Sequence, residues 1–370
     1  MSSRRELGGL ALAELRSMLA EMGQPGYRAT QVREQAWTGG ANGFEEMLTL
    51  PGTLRQRLAE ELCFQSLALC LQTSSDRGLT NKLLLRAHDG QELETVLIRH
   101  PGATGGRARN TVCVSSQVGC AIGCVFCATG QLGLRRNLQA AEIVDQVRAA
   151  ATIWRRSDLG SPTNVVFMGM GEPLHNYQAV VSAIRLLQEW GVSPRHVVVS
   201  TSGLVPEIDR LAAEGLPLRL AISLHAATDE LRNRLVPLNQ RYPLDQLRAA
   251  AQRFTDSTGR RVTLEYVLIR GVNDRKEDAW ALRRLAASAQ AHVNLIPMNP
   301  IPDSELAAPS EPTCRAFAAL VGPRASIRFS RGGRATAACG QLRATMAAQP
   351  RRTASAAAAE LALLGEPSRN

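Results

Sequence analysis

The chain has 370 residues, of which 43 are basic and 33 acidic, and its formal net charge is +10. This length predicts two or three domains with ample capacity for a buried core. It contains no run of about 18 apolar residues and no apolar leader, which argues against a membrane or secreted protein. Eight cysteines without a small-domain disulfide framework favour a reducing compartment, so we expect a cytoplasmic protein.

Arginine supplies almost all of the positive charge, since 41 of the 43 basic side chains are arginine. The planar guanidinium group suits phosphate recognition and stacking on bases, so the charge favours a nucleic acid partner. High use of Ala and Arg across a genome would explain part of the arginine excess. Adjacent arginines are scattered along the chain, and such pairs are more often solvated than part of a binding patch.

Residues 1–66 are predicted to form a small helical domain. Apolar residues recur at helical spacing from Leu10 to Leu19, over 31–37 and over 54–63, with glycine or proline breaks between them. Residues 67–109 change to short segments typical of strands around a His-Asp-Gly turn at 88–90. This second segment is predicted as a β-hairpin linker between two domains.

Residues 110–345 repeat a strand followed by a helix about six times. The predicted strands are 111–115, 164–168, 196–200, 218–224, 262–269, 292–296 and 326–330. The predicted helices are 139–156, 177–190, 205–214, 244–254, 277–289 and 313–321. Such repeats predict an α/β fold whose parallel strands form a partial (β/α)6 barrel, with functional residues at the carboxyl ends of the strands. Residues 346–370 are expected to be a disordered tail.

Three cysteines at C-x3-C-x2-C spacing, Cys120, Cys124 and Cys127, follow the first strand of this region. Three thiolates on one short loop can bind three irons of a cubic 4Fe-4S cluster and leave the fourth iron open. The alternative is zinc, but a closed zinc site needs a fourth ligand, and the nearest other thiol is Cys113, seven residues upstream. The spacing favours a cluster enzyme, with a non-catalytic zinc-bearing RNA-binding module as the alternative.

A cysteine triplet after the first strand of a partial barrel resembles the radical SAM superfamily. Five further motifs occur in order, namely Gly169-Met-Gly-Glu-Pro173, Ser200-Thr-Ser-Gly203, Ser223-Leu-His225, Asn294-Leu-Ile-Pro297 with Asn299, and Ala337-Ala-Cys-Gly-Gln-Leu342. With this set the chain is similar to the RlmN/Cfr family of RNA methyltransferases, from the helical domain to about Leu342. The ordered set is far more specific than any single motif.

The resemblance implies two cofactors, a 4Fe-4S cluster on the triplet and S-adenosyl-L-methionine (SAM), of which two molecules are used per turnover. In that family the pair corresponding to Gly171 and Glu172 contacts the amino group of SAM, which suits a close backbone approach and a carboxylate facing an ammonium. By the same resemblance, residues at successive strand ends line the SAM site: Ser200, Ser223, Leu224, His225 and Asn299. Taken singly, polar residues at strand ends more often cap helices.

The resemblance also implies a covalent radical route, because adenine C2 is electrophilic and cannot attack the methyl group of SAM directly. In the family a cysteine, here Cys339, is first methylated as a thiolate. A 5′-deoxyadenosyl radical then takes a hydrogen from that methyl group, and the methylene radical adds to adenine. Cys113 matches the resolving cysteine, which forms a transient disulfide with Cys339, and Glu94 matches the proton acceptor. Without the resemblance, Cys113 would be interpreted as a core residue and Glu94 as a solvated one.

The implied activity is methylation of adenine C2 in 23S ribosomal RNA, with transfer RNA beside the anticodon as a second candidate substrate. Cfr-like methylation at C8 is the nearest alternative, although the Gly-Glu-Pro, Ser-Thr-Ser-Gly and Arg331-Gly332 motifs are more similar to RlmN. We expect a monomer without membrane contact that takes electrons from a one-electron reductant such as flavodoxin. One departure is that the segment from Arg331 to Cys339 is basic, whereas the family has acidic residues there.

Three further cysteines, Cys63, Cys70 and Cys314, lie in apolar surroundings and are interpreted as core residues. The histidines other than His225 are given no role.

Overall fold

The computed structural model describes residues 4–102, 108–301, 304–329, 338 and 340–342. Its N-terminal segment contains three α-helices, α1 Leu12–Glu21, α2 Tyr27–Trp37 and α3 Gly52–Glu61. Two short strands, β1 Arg5–Glu6 and β2 Leu62–Cys63, pair in parallel and bring the two ends of the segment together. The expected helix over 54–63 is therefore wrong at its last two residues, which are extended because they pair with β1.

Four antiparallel strands follow, β3 Leu67–Ser75, β4 Thr80–Ala87, β5 Glu92–His100 and β6 Arg109–Cys113. The hairpin expected around residues 88–90 is confirmed as β4 and β5. Strand β5 also pairs with β6, so these strands belong to the same ten-stranded sheet as the barrel. The domain boundaries themselves stay a prediction.

The remaining strands are β7 Gln117–Gly119, β8 Leu134–Asn137, β9 Asn164–Phe167, β10 Val197–Thr201, β11 Arg219–Ser223, β12 Thr263–Leu268, β13 His292–Pro297 and β14 Ala325–Ile327. The remaining helices are α4 Ala128–Gln131, α5 Ala140–Arg156, α6 Tyr177–Glu189, α7 Val205–Ala213, α8 Asp229–Leu235, α9 Leu244–Thr258, α10 Lys276–Ser288 and α11 Glu311–Val321.

The predicted partial (β/α)6 barrel is confirmed. Parallel pairing runs from β6 through β9, β10, β11, β12 and β13 to β14. In the described part of the chain, six of these strands are each followed by a long helix that leads to the next parallel strand, and β14 ends the sheet. The hairpin of β7 and β8, helix α4 and helix α8 were not predicted, and they are inserted between these units at the carboxyl ends of the strands.

The N-terminal segment packs on the outer side of the barrel, against α5 and α6. Arg33 of α2 contacts Glu189 of α6 at 2.5 Å, and the same carboxylate accepts a hydrogen bond from the backbone of Leu12 at 2.8 Å. Trp37 and Trp190 stack edge to face with ring centroids 5.2 Å apart. These contacts fix the helical segment on the barrel through a charged and an aromatic pair. No helix within the described ranges has the length and apolarity to cross a bilayer.

Candidate active site

A cavity opens where the parallel strands end, as expected for a barrel of this kind. Its lining brings together nine of the predicted site residues, Cys120, Cys124, Cys127, Gly171, Glu172, Ser200, Ser223, His225 and Asn299. These residues are up to 179 positions apart in sequence, from Cys120 to Asn299. The fold therefore joins the cysteine triplet and the residues expected to hold SAM into one site.

The cysteine loop is shaped by a glycine that no other residue could replace. Gly119 at the end of β7 has a φ of +76°, and a Cβ atom there would lie 1.9 Å from the carbonyl oxygen of Gly133. The backbone N–H of Cys120 donates to that same carbonyl at 3.1 Å, and the N–H of Val125 donates to the carbonyl of Leu235 at the end of α8 at 3.3 Å. The unpredicted hairpin and α8 thus hold the loop from two sides.

The donor set fits a cubic cluster. Among the described residues, no three His, Cys, Asp or Glu side chains converge on a single ion. Cluster thiolates each bind a different iron and need not converge, whereas the ligands of a zinc ion must. Burial raises the pKa of the Cys120, Cys124 and Cys127 thiols, so the positive charge of bound iron is needed to keep them as thiolates.

The Gly171-Glu172 turn is fixed against two neighbouring elements. Gly171 has a φ of +102°, and a Cβ atom there would lie 2.6 Å from Gln117, so the position requires glycine. The Glu172 carboxylate is buried and accepts hydrogen bonds from the backbone and hydroxyl of Ser202, both at 2.7 Å, and from the N–H of Leu174 at 3.0 Å. Burial raises the pKa of Glu172. An ammonium group reaching this turn would therefore meet a carboxylate already held in place.

The ends of β10 and β11 present two hydroxyls and an imidazole to the cavity. The hydroxyls of Ser200 and Ser223 lie 3.3 Å apart. His225 has a left-handed backbone (φ +60°), and its Nδ1 accepts a hydrogen bond from the N–H of Val267 at 3.1 Å. Burial lowers the pKa of His225 to about 3, so the ring is neutral and carries its proton on Nε2. Leu224 is buried but does not line the cavity, so its contribution is a structural one made through its backbone.

Arg232 on α8 holds these strand ends together, and it was not predicted. This buried guanidinium donates to the carbonyls of Leu224 at 3.0 Å and Ser202 at 2.6 Å, and to the side chain of Asn239 at 2.8 Å. Burial lowers the pKa of Arg232 to about 10. Local sequence pattern could not single it out, since α8 is seven residues long and Arg232 is one of 41 arginines.

Glu94 and Cys113 lie on the inner face of the sheet but do not line the cavity. Thr95 points outward to α5, where its hydroxyl donates to Gln146 at 2.7 Å. Its neighbours Glu94 and Val96 therefore point inward, and Cys113 is paired with Val96 across the sheet. Glu94 is 2 % exposed and contacts the ammonium of Lys82 at 2.8 Å, so it is not a solvated hairpin residue.

Cys339 lies outside the described residues, together with the basic segment that precedes it. The described residues that follow Cys339 are hydrogen-bonded to residues directly after the cysteine triplet. The carbonyl of Gly340 accepts a hydrogen bond from Ala128 at 2.8 Å, and that of Leu342 accepts one from the hydroxyl of Thr129 at 2.6 Å. Gly340 and Leu342 also line the cavity.

Two family models match the chain. Residues 114–284 match the radical SAM superfamily, and residues 5–64 match the N-terminal domain of ribosomal RNA large subunit methyltransferases. A relative from Moorella thermoacetica, named as a probable dual-specificity RNA methyltransferase RlmN, is 47 % identical over 350 residues, covering 93 % of this chain and 98 % of that protein.

The chain belongs to the RlmN family of radical SAM methyltransferases. A Frankia alni protein of the same name is 47 % identical over 366 residues, covering 95 % of this chain and 86 % of that protein. The crystal structure of a radical SAM methyltransferase from Sphaerobacter thermophilus superposes with a TM-score of 0.87 at 49 % identity, covering 92 % of this chain and 99 % of that one.

Membership of the RlmN family decides two of the sequence-based expectations. The chain is an enzyme, a radical SAM RNA methyltransferase, so the alternative of a non-catalytic zinc-bearing module is wrong. Its cofactors are a 4Fe-4S cluster and SAM, with two SAM molecules per turnover. The roles of individual residues stay predictions.

Proposed function

We propose that this enzyme methylates C2 of an adenine in 23S ribosomal RNA, and also an adenine beside the anticodon of transfer RNA. The observation that carries the proposal is the single cavity that joins the cysteine triplet, the SAM motifs and the described neighbours of Cys339. It is supported by full-length similarity to relatives named as dual-specificity RNA methyltransferases.

In this proposal Cys120, Cys124 and Cys127 hold the cluster, which supplies the electron that cleaves SAM. The Gly171-Glu172 turn receives the ammonium group of SAM, because its backbone lines the cavity and its carboxylate is fixed by Ser202. The remaining contacts come from Ser200, Ser223, His225 and Asn299, and Leu224 supports them through its backbone, whose carbonyl accepts a hydrogen bond from Arg232. The neutral imidazole of His225 suits this position because it can donate a hydrogen bond from Nε2 without adding a charge to a buried site.

Cys339 is the proposed methyl carrier, Cys113 the resolving thiol and Glu94 the proton acceptor. Once the carbon carried by Cys339 is bound to adenine, the adduct is a radical, and it loses one electron to a one-electron carrier and the hydrogen of its ring carbon, as a proton, to Glu94. The Cys113 thiolate then attacks the Cys339 sulfur, the bond from that sulfur to the transferred carbon breaks, and its electron pair stays on the carbon, which is protonated to a methyl group. The resulting disulfide is reduced by an external thiol before the next turnover.

The positions of Glu94 and Cys113 support these roles. Both point to the inner face of the sheet, and both are buried, so neither is exposed to bulk solvent while the adduct exists. The inner face of β5 and β6 continues into β9, whose following residues Gly169 and Gly171 line the cavity. The two residues therefore lie on the same inner face of the sheet as the strand end that borders the SAM site.

We also propose the partners and setting that this chemistry requires. A one-electron donor such as flavodoxin reduces the cluster, and the chain acts as a monomer in the cytoplasm, where ribosomal RNA is available. The net charge of +10 supports binding to a polyanionic substrate.

The test is to identify the methylated nucleoside. The protein is reconstituted with its cluster under anaerobic conditions and treated with methyl-labelled SAM and unmodified 23S RNA or transfer RNA, and the digested RNA is analysed by mass spectrometry. Labelled 2-methyladenosine supports the proposal, whereas labelled 8-methyladenosine would show that the enzyme methylates C8, as in the Cfr-like alternative. A protein that cleaves SAM but labels neither RNA would show that the substrate assignment is wrong. Cys339→Ala is the matched control, since it should cleave SAM and label nothing.

A further inference from the structure

One layer of the barrel interior is polar where such layers are usually built from branched aliphatic residues. Ser223 at the end of β11 pairs in register with Glu265 of β12, Glu265 pairs with Asn294 of β13, and Asn294 pairs with Ser326 of β14. Because directly paired residues of neighbouring strands share one face, these four side chains form a continuous polar row inside the barrel.

The members of this row are joined by hydrogen bonds that lead to Glu265. The amide nitrogen of Asn294 donates to Oε1 of Glu265 at 2.9 Å, and the hydroxyl of Ser326 donates to the amide oxygen of Asn294 at 2.9 Å. The Ser326 hydroxyl also lies 2.9 Å from Nε2 of His292. Because the Ser326 hydroxyl donates its one proton to Asn294, Nε2 of His292 must be the donor in the contact between His292 and Ser326. Every donor in this polar row therefore points towards the Glu265 carboxyl, which is the last acceptor of the row.

Glu265 is a buried acid that forms no ion pair within the described residues. Arg328 is a described cation that acts on it, and its charge lowers the pKa of Glu265 from beyond ion-pair distance. It is 6 % exposed and it lines the same cavity as the cysteine triplet. In the described part of the chain, no Lys or Arg forms an ion pair with it, and its side-chain hydrogen bonding is confined to the Asn294 contact at Oε1. Burial raises the pKa of Glu265, which reflects the cost of keeping a carboxylate in such a place. An acceptor of this kind in a ligand cavity is accounted for if the ligand supplies a donor.

The neighbours of Glu265 indicate which part of SAM supplies the donor. The molecule carries three kinds of donor: its ammonium group, the two ribose hydroxyls and the adenine amino group. The ammonium is already assigned to the Gly171-Glu172 turn. Beyond Glu265 the lining becomes apolar, with Val267, Ile296 and Met298, and such surfaces suit the faces of a flat base. Glu265 instead stands opposite Ser223, whose hydroxyl lies 3.3 Å from that of Ser200.

We propose that Glu265 is a SAM-binding residue that accepts a hydrogen bond from a ribose hydroxyl, and that Asn294, Ser326 and His292 are positioning residues that orient it. The inference rests on the proposed SAM site and adds an acceptor to it. Ser200 and Ser223 can both donate and accept, so they do not select a diol, whereas a carboxylate accepts only and requires a hydroxyl donor. The consequence is discrimination: replacing a ribose hydroxyl by hydrogen should leave Glu265 without its ligand donor.

The experiment measures binding of SAM and its analogues by equilibrium dialysis to the cluster-loaded full chain with the cluster oxidised, so that no SAM is cleaved. The analogues are 2′-deoxy-SAM, 3′-deoxy-SAM and a SAM that lacks the adenine amino group. We expect the wild-type chain to bind one of the deoxy analogues about 10- to 100-fold more weakly than SAM, as for a hydrogen bond to a charged group. Glu265→Gln should weaken SAM binding to a similar extent and reduce the preference for SAM over that analogue to about threefold or less.

Glu142→Gln is the matched control, because Glu142 is also a buried acid but is paired with Arg136 outside the cavity. The Glu142→Gln variant should keep the wild-type preference for SAM over the deoxy analogue. Wild-type binding of both deoxy analogues as tightly as SAM would overturn the inference, and this result does not depend on any variant folding. The inference would also be overturned if Glu265→Gln lost only the preference for SAM over the analogue without the adenine amino group. Glu265 would then contact adenine rather than ribose.

The same series separates this inference from the proposed function. If the cluster-loaded wild-type chain failed to bind SAM, the proposed site itself would be wrong. If it bound SAM without coupling between Glu265 and either ribose hydroxyl, only the assignment of Glu265 would fail. For the positioning residues, Ser326→Ala should weaken the preference for SAM over the deoxy analogue by about threefold while leaving the affinity for that analogue unchanged.

Discussion

Removing the Lys82 ammonium tests whether the Lys82–Glu94 contact is a true buried ion pair. Lys82→Met keeps the length of the side chain but leaves the Glu94 carboxylate without this cation. Breaking a buried pair by removing one partner costs about 3 to 5 kcal/mol. The Lys82 side chain is 15 % exposed and that of Glu94 is 2 % exposed, so water screens the pair slightly and we expect a loss of about 2 to 3 kcal/mol.

The second arm neutralises the acid as well. Since the cost arises from a buried charge rather than from lost attraction, Lys82→Met combined with Glu94→Gln should come within about 1 kcal/mol of the wild-type chain. The assay is urea unfolding of the cluster-free protein at pH 7, followed by circular dichroism, with midpoints compared at a common slope. A Lys82→Met variant within about 0.5 kcal/mol of wild type, or a double variant less stable than the single one, would refute this reasoning.

Four further outcomes are expected. Because burial lowers the pKa of His225 to about 3, whereas an unfolded histidine titrates near 6.5, only the unfolded chain gains a proton between these values. The contribution of His225 to the free energy of unfolding is thus fully present above about pH 6.5 and falls with decreasing pH, by about 2 kcal/mol at pH 5. Urea midpoints of wild type and His225→Asn at pH 7 and pH 5 check this. An equal loss of stability in the two proteins between these pH values would contradict it. Arg232→Met should lower the free energy of unfolding by about 3 kcal/mol because several buried carbonyls lose their donor, whereas the exposed Arg253→Met should change it by less than about 1 kcal/mol. Cys339→Ala should keep its iron and sulfide but transfer no methyl group to RNA, so labelled RNA from this variant would remove the proposed carrier. Cys113→Ala should accumulate a protein–RNA crosslink on denaturing gels, and a clean gel would remove the resolving role.

The repeating βα units were predictable because each depends on local pattern. The strands are short apolar runs, and the helices between them show apolar residues at helical spacing, so the expected elements agree with the structure to within a few residues; the helix expected over 244–254, for example, extends to Thr258. Strand β3 was missed because residues 68–72 are all exposed and show no alternation. For the same reason the prediction that Cys70 is a core residue was wrong, since it lies exposed on this edge strand.

The candidate site was predictable where its residues belong to ordered motifs, and it was not where they act through long-range contacts. The motifs indicated the cavity lining from Cys120 to Asn299. Arg232 and Glu265 were missed because their importance depends on carbonyls and side chains from other strands, which no local spacing reveals. The available signal for Glu265 was a carboxylate inside the mostly apolar strand expected over 262–269.

The continuous sheet also determines where this protein can be divided. A fragment that begins at residue 110 would keep the cysteine triplet and the SAM motifs, yet it would cut through five directly paired positions between β5 and β6. The cut would expose a buried strand as a new edge, which invites aggregation, and it would discard Glu94 with the strand that carries it. The smallest autonomous unit is therefore larger than the radical SAM portion, and a shortened enzyme should begin no later than the strands that shield β6.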